Sequence, residues 1–284
     1  MPSRLGQNFL RDKEVLDKII KSANLTADDL VIEVGPGEGA LSTELARRVG
    51  KLIMVEKDSH LAENTARNFQ FSIFNFQSIS NDLILNFKNK SSLIVGDILE
   101  INLPEMLKQN NFTNYKVVAN IPYYITSPII RLFLETAYPP KEMLLMVQKE
   151  VAERICAKAG KMSILALSVQ YYTDAELLFA VPKTAFFPVP EVDSAVIRLT
   201  RIKKPSYAKA PTGEARNKEE IKKFFRIVKA GFSAKRKTLA NNLSASLKLE
   251  KALVEEKLKS LRILPSQRAQ ELSLENWKKL SNLF

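Results

Sequence analysis

Asn120-Ile121-Pro122-Tyr123 gathers, in four residues, a side-chain amide, a rigid proline that leaves a backbone carbonyl free, and an aromatic face. Together these groups suit a planar, amine-bearing base. The exocyclic amine of adenine is a poor nucleophile because its lone pair is delocalised into the ring. Two acceptors, the Asn120 side-chain oxygen and the Pro122 carbonyl, would align the amine hydrogens and aim the lone pair at an electrophilic methyl, with Tyr123 stacked on the ring. That is catalysis by positioning, and the proton is lost later to solvent. The plainer reading is an Asn-Pro turn followed by a core tyrosine; placement at the carboxyl end of a strand argues against it.

Three further sites stand upstream. In Glu33-Val34-Gly35-Pro36-Gly37-Glu38-Gly39-Ala40, Gly35 and Gly37 let backbone approach a ligand without a Cβ in the way. Glu56 is placed to accept from both hydroxyls of a ribose, and Asp97, in Val95-Gly96-Asp97-Ile98, from an adenine amine. Gly35, Gly37 and Ala40 also satisfy G-x-G-x-x-A with an acid about 20 residues on, so the loop by itself leaves a dinucleotide open. A strand-to-helix turn without a ligand, and an Asp that merely shapes a turn, are the ordinary alternatives. The order Gly35, Glu56, Asp97, Asn120 is what gives them joint meaning.

Elements that could position these residues follow from the pattern. Leu30–Val34, Leu52–Glu56, Leu93–Val95, Lys116–Ala119 and Met143–Gln148 read as buried strands, with helices at Ala40–Val49, Ser59–Asn68 and Pro128–Thr136. This βαβ rhythm predicts a mostly parallel sheet. A helix over Ser163–Tyr172 and strands over Ala175–Ala180 and Ser194–Arg201 come next, the strands being able to extend the sheet antiparallel. Phe69–Lys90, rich in Asn, Ser and Phe, reads as an irregular insertion. Beyond a polar link at Lys203–Arg216 the pattern is helical at Lys218–Phe232, Lys235–Ala245, Glu250–Leu261 and Leu274–Leu283, a small all-helical second domain. The expected division is 1–203 and 204–284.

At this point the sequence resembles the small-subunit (16S) rRNA adenine N6,N6-dimethyltransferases, almost end to end. Leu5-Gly6-Gln7-Asn8-Phe9-Leu10 is similar to that family's N-terminal cofactor-closing motif, and Glu33–Ala40, Val55–Asp58, Gly96–Leu99 and Asn120–Tyr123 to its glycine-loop, ribose, adenine and catalytic motifs. Phe186-Phe187-Pro188-Val189-Pro190-Glu191-Val192-Asp193-Ser194 resembles its F-x-P-x-P-x-V-D-S segment. The resemblance implies an α/β, Rossmann-like methyltransferase domain that uses S-adenosylmethionine, held by Asn8, Leu10, Gly35, Gly37, Glu56, Asp97 and Asn120. It implies catalytic roles for Asn120, Pro122 and Tyr123, with Phe186 packed against the target base. Large-subunit enzymes of the erythromycin-resistance type share that core. The stretches Arg236–Leu243 and Arg268–Ser273 resemble small-subunit signatures and favour the small ribosomal subunit and its rRNA as partner. A non-catalytic RNA-binding assembly factor would not need Glu56, Asp97, Asn120 and Tyr123 intact, and a dinucleotide oxidoreductase would leave Asn120–Tyr123 without a role. The stretch between Asp58 and Gly96 is longer than is usual for the family.

Charge agrees with a polyanionic partner. Residues 1–197 hold 21 Lys and Arg against 23 Asp and Glu, whereas residues 198–284 hold 22 against 8, so the whole excess of the +12 chain is C-terminal. Clustered cations gain affinity by releasing the counterions condensed on phosphates, and Lys235, Arg236 and Lys237 are the first candidates for RNA contact. The 284 residues, 45% hydrophobic and 26% charged, exclude a disordered or fibrous chain. One cysteine, Cys156, and an N-terminus without an apolar run point to a cytoplasmic protein, and no stretch is apolar enough for a membrane. With one histidine, His60, a Cys/His zinc site lacks ligands, and direct transfer from a sulfonium needs no metal. A monomer is expected.

Overall fold

The computed structural model describes residues 8–68, 76–79, 82–86, 91–112, 114–202 and 211–284. Leu5–Gln7 of the N-terminal motif and much of the Lys203–Arg216 link lie outside them. The described residues divide into two compact units, Met1–Ala152 with Asp174–Arg201, and Glu153–Thr173 with Ile202–Phe284.

In the first unit β1 (Phe9–Leu10) and α1 (Lys13–Ser22) precede the alternating strands and helices β2 (Leu30–Val34), α2 (Ala40–Ala46), β3 (Lys51–Glu56) and α3 (Ser59–Asn68). Then come β4 (Phe76–Ile79), β5 (Asp82–Asn86), β6 (Ser91–Val95), α4 (Leu103–Gln109), β7 (Tyr115–Asn120), α5 (Thr126–Glu135) and β8 (Glu142–Gln148). After α6 (Lys149–Ile155) the chain passes through α7 (Ile164–Gln170), which belongs to the second unit, and returns with β9 (Thr173–Val181), β10 (Phe186–Phe187) and β11 (Ser194–Arg201). Nine strands form one sheet in the order β4-β5-β6-β3-β2-β7-β8-β11-β9. The central five, β6-β3-β2-β7-β8, are parallel. Being covered on both faces, they read as nearly continuous apolar runs such as LIMV in β3 and MLLMV in β8. β11 returns antiparallel to β8, as the sequence suggests.

The chain runs from β2 outward to β3 and β6, then comes back to β7 on the other side of β2. Such a reversal leaves a crevice at the carboxyl ends of β2 and β7, where open α/β sheets bind ligands. α1 closes over the sheet with Val15, Ile19 and Ile20, its first turn capped by the Asp12 carboxylate, which accepts from the amides of Glu14 and Val15.

Three expectations are corrected. Phe69–Lys90 is not wholly irregular, because β4 and β5 within it pair antiparallel and extend the edge of β6, with Leu83 opposite Val95 and Leu85 opposite Leu93. The unpaired backbone of an edge strand imposes that pairing where local composition does not specify it. The second unit is also not simply 204–284. α7 buries Ala166 and Leu167 in one cluster with Phe224, Ile227 and Val228 of α8 (Pro211–Gly231), so an apolar helix that precedes β9 in sequence joins the C-terminal core. In that unit α9 (Leu239–Leu247) starts four residues later than its pattern predicts, because the Thr238 hydroxyl accepts from the Asn241 amide and caps it there. α10 (Lys251–Ser260) and α11 (Leu274–Leu283) complete the second unit.

Candidate active site

β2 ends in a turn with positive φ at Gly35, Gly37 and Gly39. Gly37 has φ +59°, and a Cβ built on it would lie 3.2 Å from the Phe9 ring, so a side chain there is both strained and obstructed. Across this turn lies the end of β3, whose Glu56 is buried. One of its carboxylate oxygens accepts from the Gly37 amide at 3.1 Å and the other from the Asp58 amide at 2.9 Å. Burial pushes the Glu56 carboxyl above its ordinary pKa, against the pull of these amides. Each oxygen keeps a second lone-pair direction, so the carboxylate is aimed without being exhausted.

The N-terminal segment crosses the glycine turn. Arg11 pairs with Glu38 at 2.7 Å, and the amides of Arg11 and Asp12 donate to the Ala185 carbonyl at 2.8 and 3.3 Å. Asn8, Phe9 and Leu10 thereby share one cleft with Gly35, Gly37, Glu56, Asn120, Pro122 and Tyr123. At the end of β7 the Asn120 amide nitrogen makes a long donation to the Asn8 carbonyl, 3.5 Å, which leaves its oxygen as the acceptor. The Pro122 carbonyl is not wholly free as expected, since it takes the Ile125 amide at 3.1 Å to start a short 3₁₀ turn; its second lone pair remains. Tyr123 is fixed by a 2.7 Å hydrogen bond between its hydroxyl and that of the buried Ser194.

Two predicted residues stand differently. Asp97 follows β6, where the Gly96 amide donates to the Glu56 carbonyl at 2.8 Å, but it does not line the cleft. Its carboxylate meets Lys57 at 2.8 Å and the Leu99 amide at 2.9 Å, and these outweigh the effect of burial and hold its pKa below the usual value. Phe186, 3% exposed, belongs to the core cluster with Val15 and Ile19, because its strand register turns it inward beside Leu10. The neighbouring ring, Phe187, is 64% exposed.

Sequence reasoning passed over Ser194, Lys57 and Glu33. Ser194 was visible only as the last letter of a motif, and Lys57 stands beside a recognised acid, but neither partner across the fold could be read from spacing. Glu33 lines the cleft and is 1% exposed with one oxygen unpartnered; burial drives its pKa up to about 8. In the second unit Lys235, Arg236 and Lys237 occupy an exposed turn before α9, and Asn242 pins that turn by donating to the carbonyls of Gly231 and Ala234 at 2.6 and 3.0 Å. His60 lies exposed at the start of α3, and among the described residues no group of His, Cys, Asp and Glu could hold a metal.

A parallel-rich sheet with its crevice at this reversal, a glycine turn, an acid one strand away and an Asn-Ile-Pro-Tyr corner define the class: a Rossmann-like, S-adenosylmethionine-dependent methyltransferase. The chain belongs within that class to the ribosomal RNA adenine dimethylases, matching the family described as "Ribosomal RNA adenine dimethylase" over residues 2–284. It is 41% identical to a "Ribosomal RNA small subunit methyltransferase A" of Dehalococcoides mccartyi over 97% of this chain and 86% of the relative. A protein of the same description from Fusobacterium nucleatum is 41% identical over 99% and 96%. Among solved structures, the 23S rRNA methyltransferase ErmE is similar at TM-score 0.72 and 25% identity, covering 97% of this chain and 99% of its own. A dimethyladenosine transferase from Plasmodium falciparum shares the fold at TM-score 0.72 and 23% identity, with 96% and 95% covered.

The cofactor of this family is S-adenosylmethionine, and the residues present fit it. The cradle at Gly37 would be filled by any Cβ, the Glu56 carboxylate is aimed and buried, and Glu33, in the lining of the same cleft, has a buried oxygen without a partner.

Proposed function

We propose that this enzyme methylates N6 of adenine twice in small-subunit ribosomal RNA during ribosome biogenesis, acting as a cytoplasmic monomer. The observation that carries the reading is the convergence of Asn120, Pro122 and Tyr123 on the cleft that also holds the glycine turn and Glu56. When bound, S-adenosylmethionine supplies an electrophilic methyl. Gly35 and Gly37 would admit it to the backbone, Asn8 and Leu10 would close over it, and Glu56 would accept from its ribose hydroxyls, while Asp97, outside the cleft lining at the end of the next strand and steadied by Lys57, would accept from its adenine amine. The Asn120 oxygen and the open lone pair of Pro122 accept the hydrogens of the target amine, with Tyr123 held against the base by Ser194. Removing an amine hydrogen is left to solvent after the transfer. The relatives at 41% identity support the small subunit over the large, and the turn at Lys235–Lys237 supplies cations for the RNA.

Tritiated methyl transfer to under-methylated ribosomal particles tests this. Label should enter small particles, as two methyl groups on each modified adenine. Label confined to large particles would instead favour the activity named for ErmE.

A further inference from the structure

The exposed ring of Phe187 is unusual for its surroundings. It sits in β10, a two-residue strand paired antiparallel with β1, with Leu10 opposite Phe186 and Phe9 opposite Phe187. Residues directly opposite in such a pair project to the same face. Leu10 and Phe186 pack on the core cluster, so Phe9 and Phe187 take the other face. Phe9 lines the cleft and rests against Gly37, and Phe187, opposite Phe9 in the strand pair and 64% exposed, stands beside that wall and outside the cleft lining. Val189 and Val192 in the segment that follows are exposed as well.

The segment is held firmly. Asp193 closes it, its carboxylate accepting from the Lys183 amide and its carbonyl from the Lys149 amide, each at 3.0 Å. The next residue, Ser194, bonds the Tyr123 hydroxyl, and Ala185 before β10 takes the amides of Arg11 and Asp12. A backbone held in this way needs no further ordering when a partner covers the ring it carries. The ring has no polar handle, so its natural partner is another flat π-face, and the molecule that enters this cleft brings such faces as unpaired bases.

We propose that Phe187 is a stacking platform at the rim of the cleft for the base next to the target adenine. The proposal rests on the function proposed above: the Asn120–Tyr123 corner takes the target, and the exposed ring beside the cleft wall takes the neighbour. Stacking of this kind tolerates any base, so Phe187 positions the RNA and does not choose its sequence.

Phe187→Ala should raise KM for small-subunit particles about 5- to 150-fold, the range alanine substitution gives for one stacked base. S-adenosylhomocysteine affinity and the single-turnover rate at saturating particles should stay within about threefold of wild type, since the ring touches neither cofactor nor reacting amine. Phe187→Trp should restore KM, and Phe187→Leu should not. The side chain is largely exposed, and melting curves will establish that all three variants are folded. With p-benzoylphenylalanine at position 187, photocrosslinking should fall on the nucleotide adjoining a methylated adenine. An unchanged KM for the alanine variant, full rescue by leucine, or crosslinks confined to ribosomal protein would each overturn the platform. Wild-type enzyme that transfers no methyl to either particle would instead sink the function on which it rests.

Discussion

Glu56 illustrates how a single residue sets the conditions for binding. It must be ionised to accept two ribose hydroxyls with full charge, yet burial holds its pKa above the ordinary 4.5. Lowering the pH should therefore weaken S-adenosylhomocysteine binding earlier than an ordinary carboxylate would, and Glu56→Gln should bind more weakly at neutral pH and lose that acid-side dependence. Charge-assisted hydrogen bonds contribute about 1.5–3 kcal/mol each, so calorimetry has ample range. Burial likewise raises the Glu33 carboxyl, to about 8, which disfavours a second charge in the cleft. Asn120 answers to a different measurement. Its oxygen is assigned to the amine in the transition state, so Asn120→Ala should slow single-turnover methyl transfer at saturating cofactor by on the order of 10²–10³, with a smaller loss of cofactor affinity. A rate within a few-fold of wild type would remove the amine-positioning role.

Between elements, the opposite ends of the strands are tied by a buried ionic cluster. Asp29, 5% exposed just before β2, meets Lys116 of β7 at 3.1 Å and Lys141 before β8 at 2.7 Å, and Lys116 also donates to the carbonyls of Ala23 and Asn24 at the end of α1. Burial alone would raise the Asp29 pKa, but Lys141, the Thr26 amide and Lys116 outweigh it and bring it to about 2 from 3.8. A depressed acid stabilises the fold above its unfolded pKa and ceases to do so as the pH falls through its folded one. That contribution, about 2 kcal/mol at 1.36 kcal/mol per pKa unit, is present above pH 3.8 and fades toward pH 2. In denaturant titrations the stability gap between wild type and Asp29→Asn should narrow across that interval; a gap constant with pH would show that the ion pairs are not its source.

For the whole molecule, the uneven charge matters most. The C-terminal segment from 198 carries 22 basic against 8 acidic residues, and Lys235, Arg236 and Lys237 stand exposed on a turn that Asn242 and the Thr238 cap hold in place. Replacing all three with Gln should weaken binding to small-subunit particles and leave S-adenosylhomocysteine affinity unchanged. If each meets a phosphate, the slope of log K against log salt should flatten by roughly 0.9 per lost contact, taking the duplex value. A folded triple variant that binds like wild type at every salt concentration would move the RNA contacts elsewhere on the basic segment.

Much of this protein was legible in its sequence because local rules governed it. The parallel strands, buried on both faces, had to be apolar runs, and the glycine turn, Glu56 and Asn120–Tyr123 had to fall at their carboxyl ends, where chain order alone brings them to one crevice. Other features depend on contacts between residues distant in sequence, for which spacing carries no signal. Which of Phe186 and Phe187 faces outward was decided by register against β1, since a shift of one residue exchanges the two faces of a strand. The Lys57–Asp97 and Tyr123–Ser194 pairs join residues 40 and 71 positions apart. β4 and β5 formed where the edge of β6 offered unpaired backbone, and α7 joined the C-terminal core because its apolar face found cover there. Sequence determined which groups could do the chemistry; tertiary packing decided how they are held and which aromatic ring is left exposed.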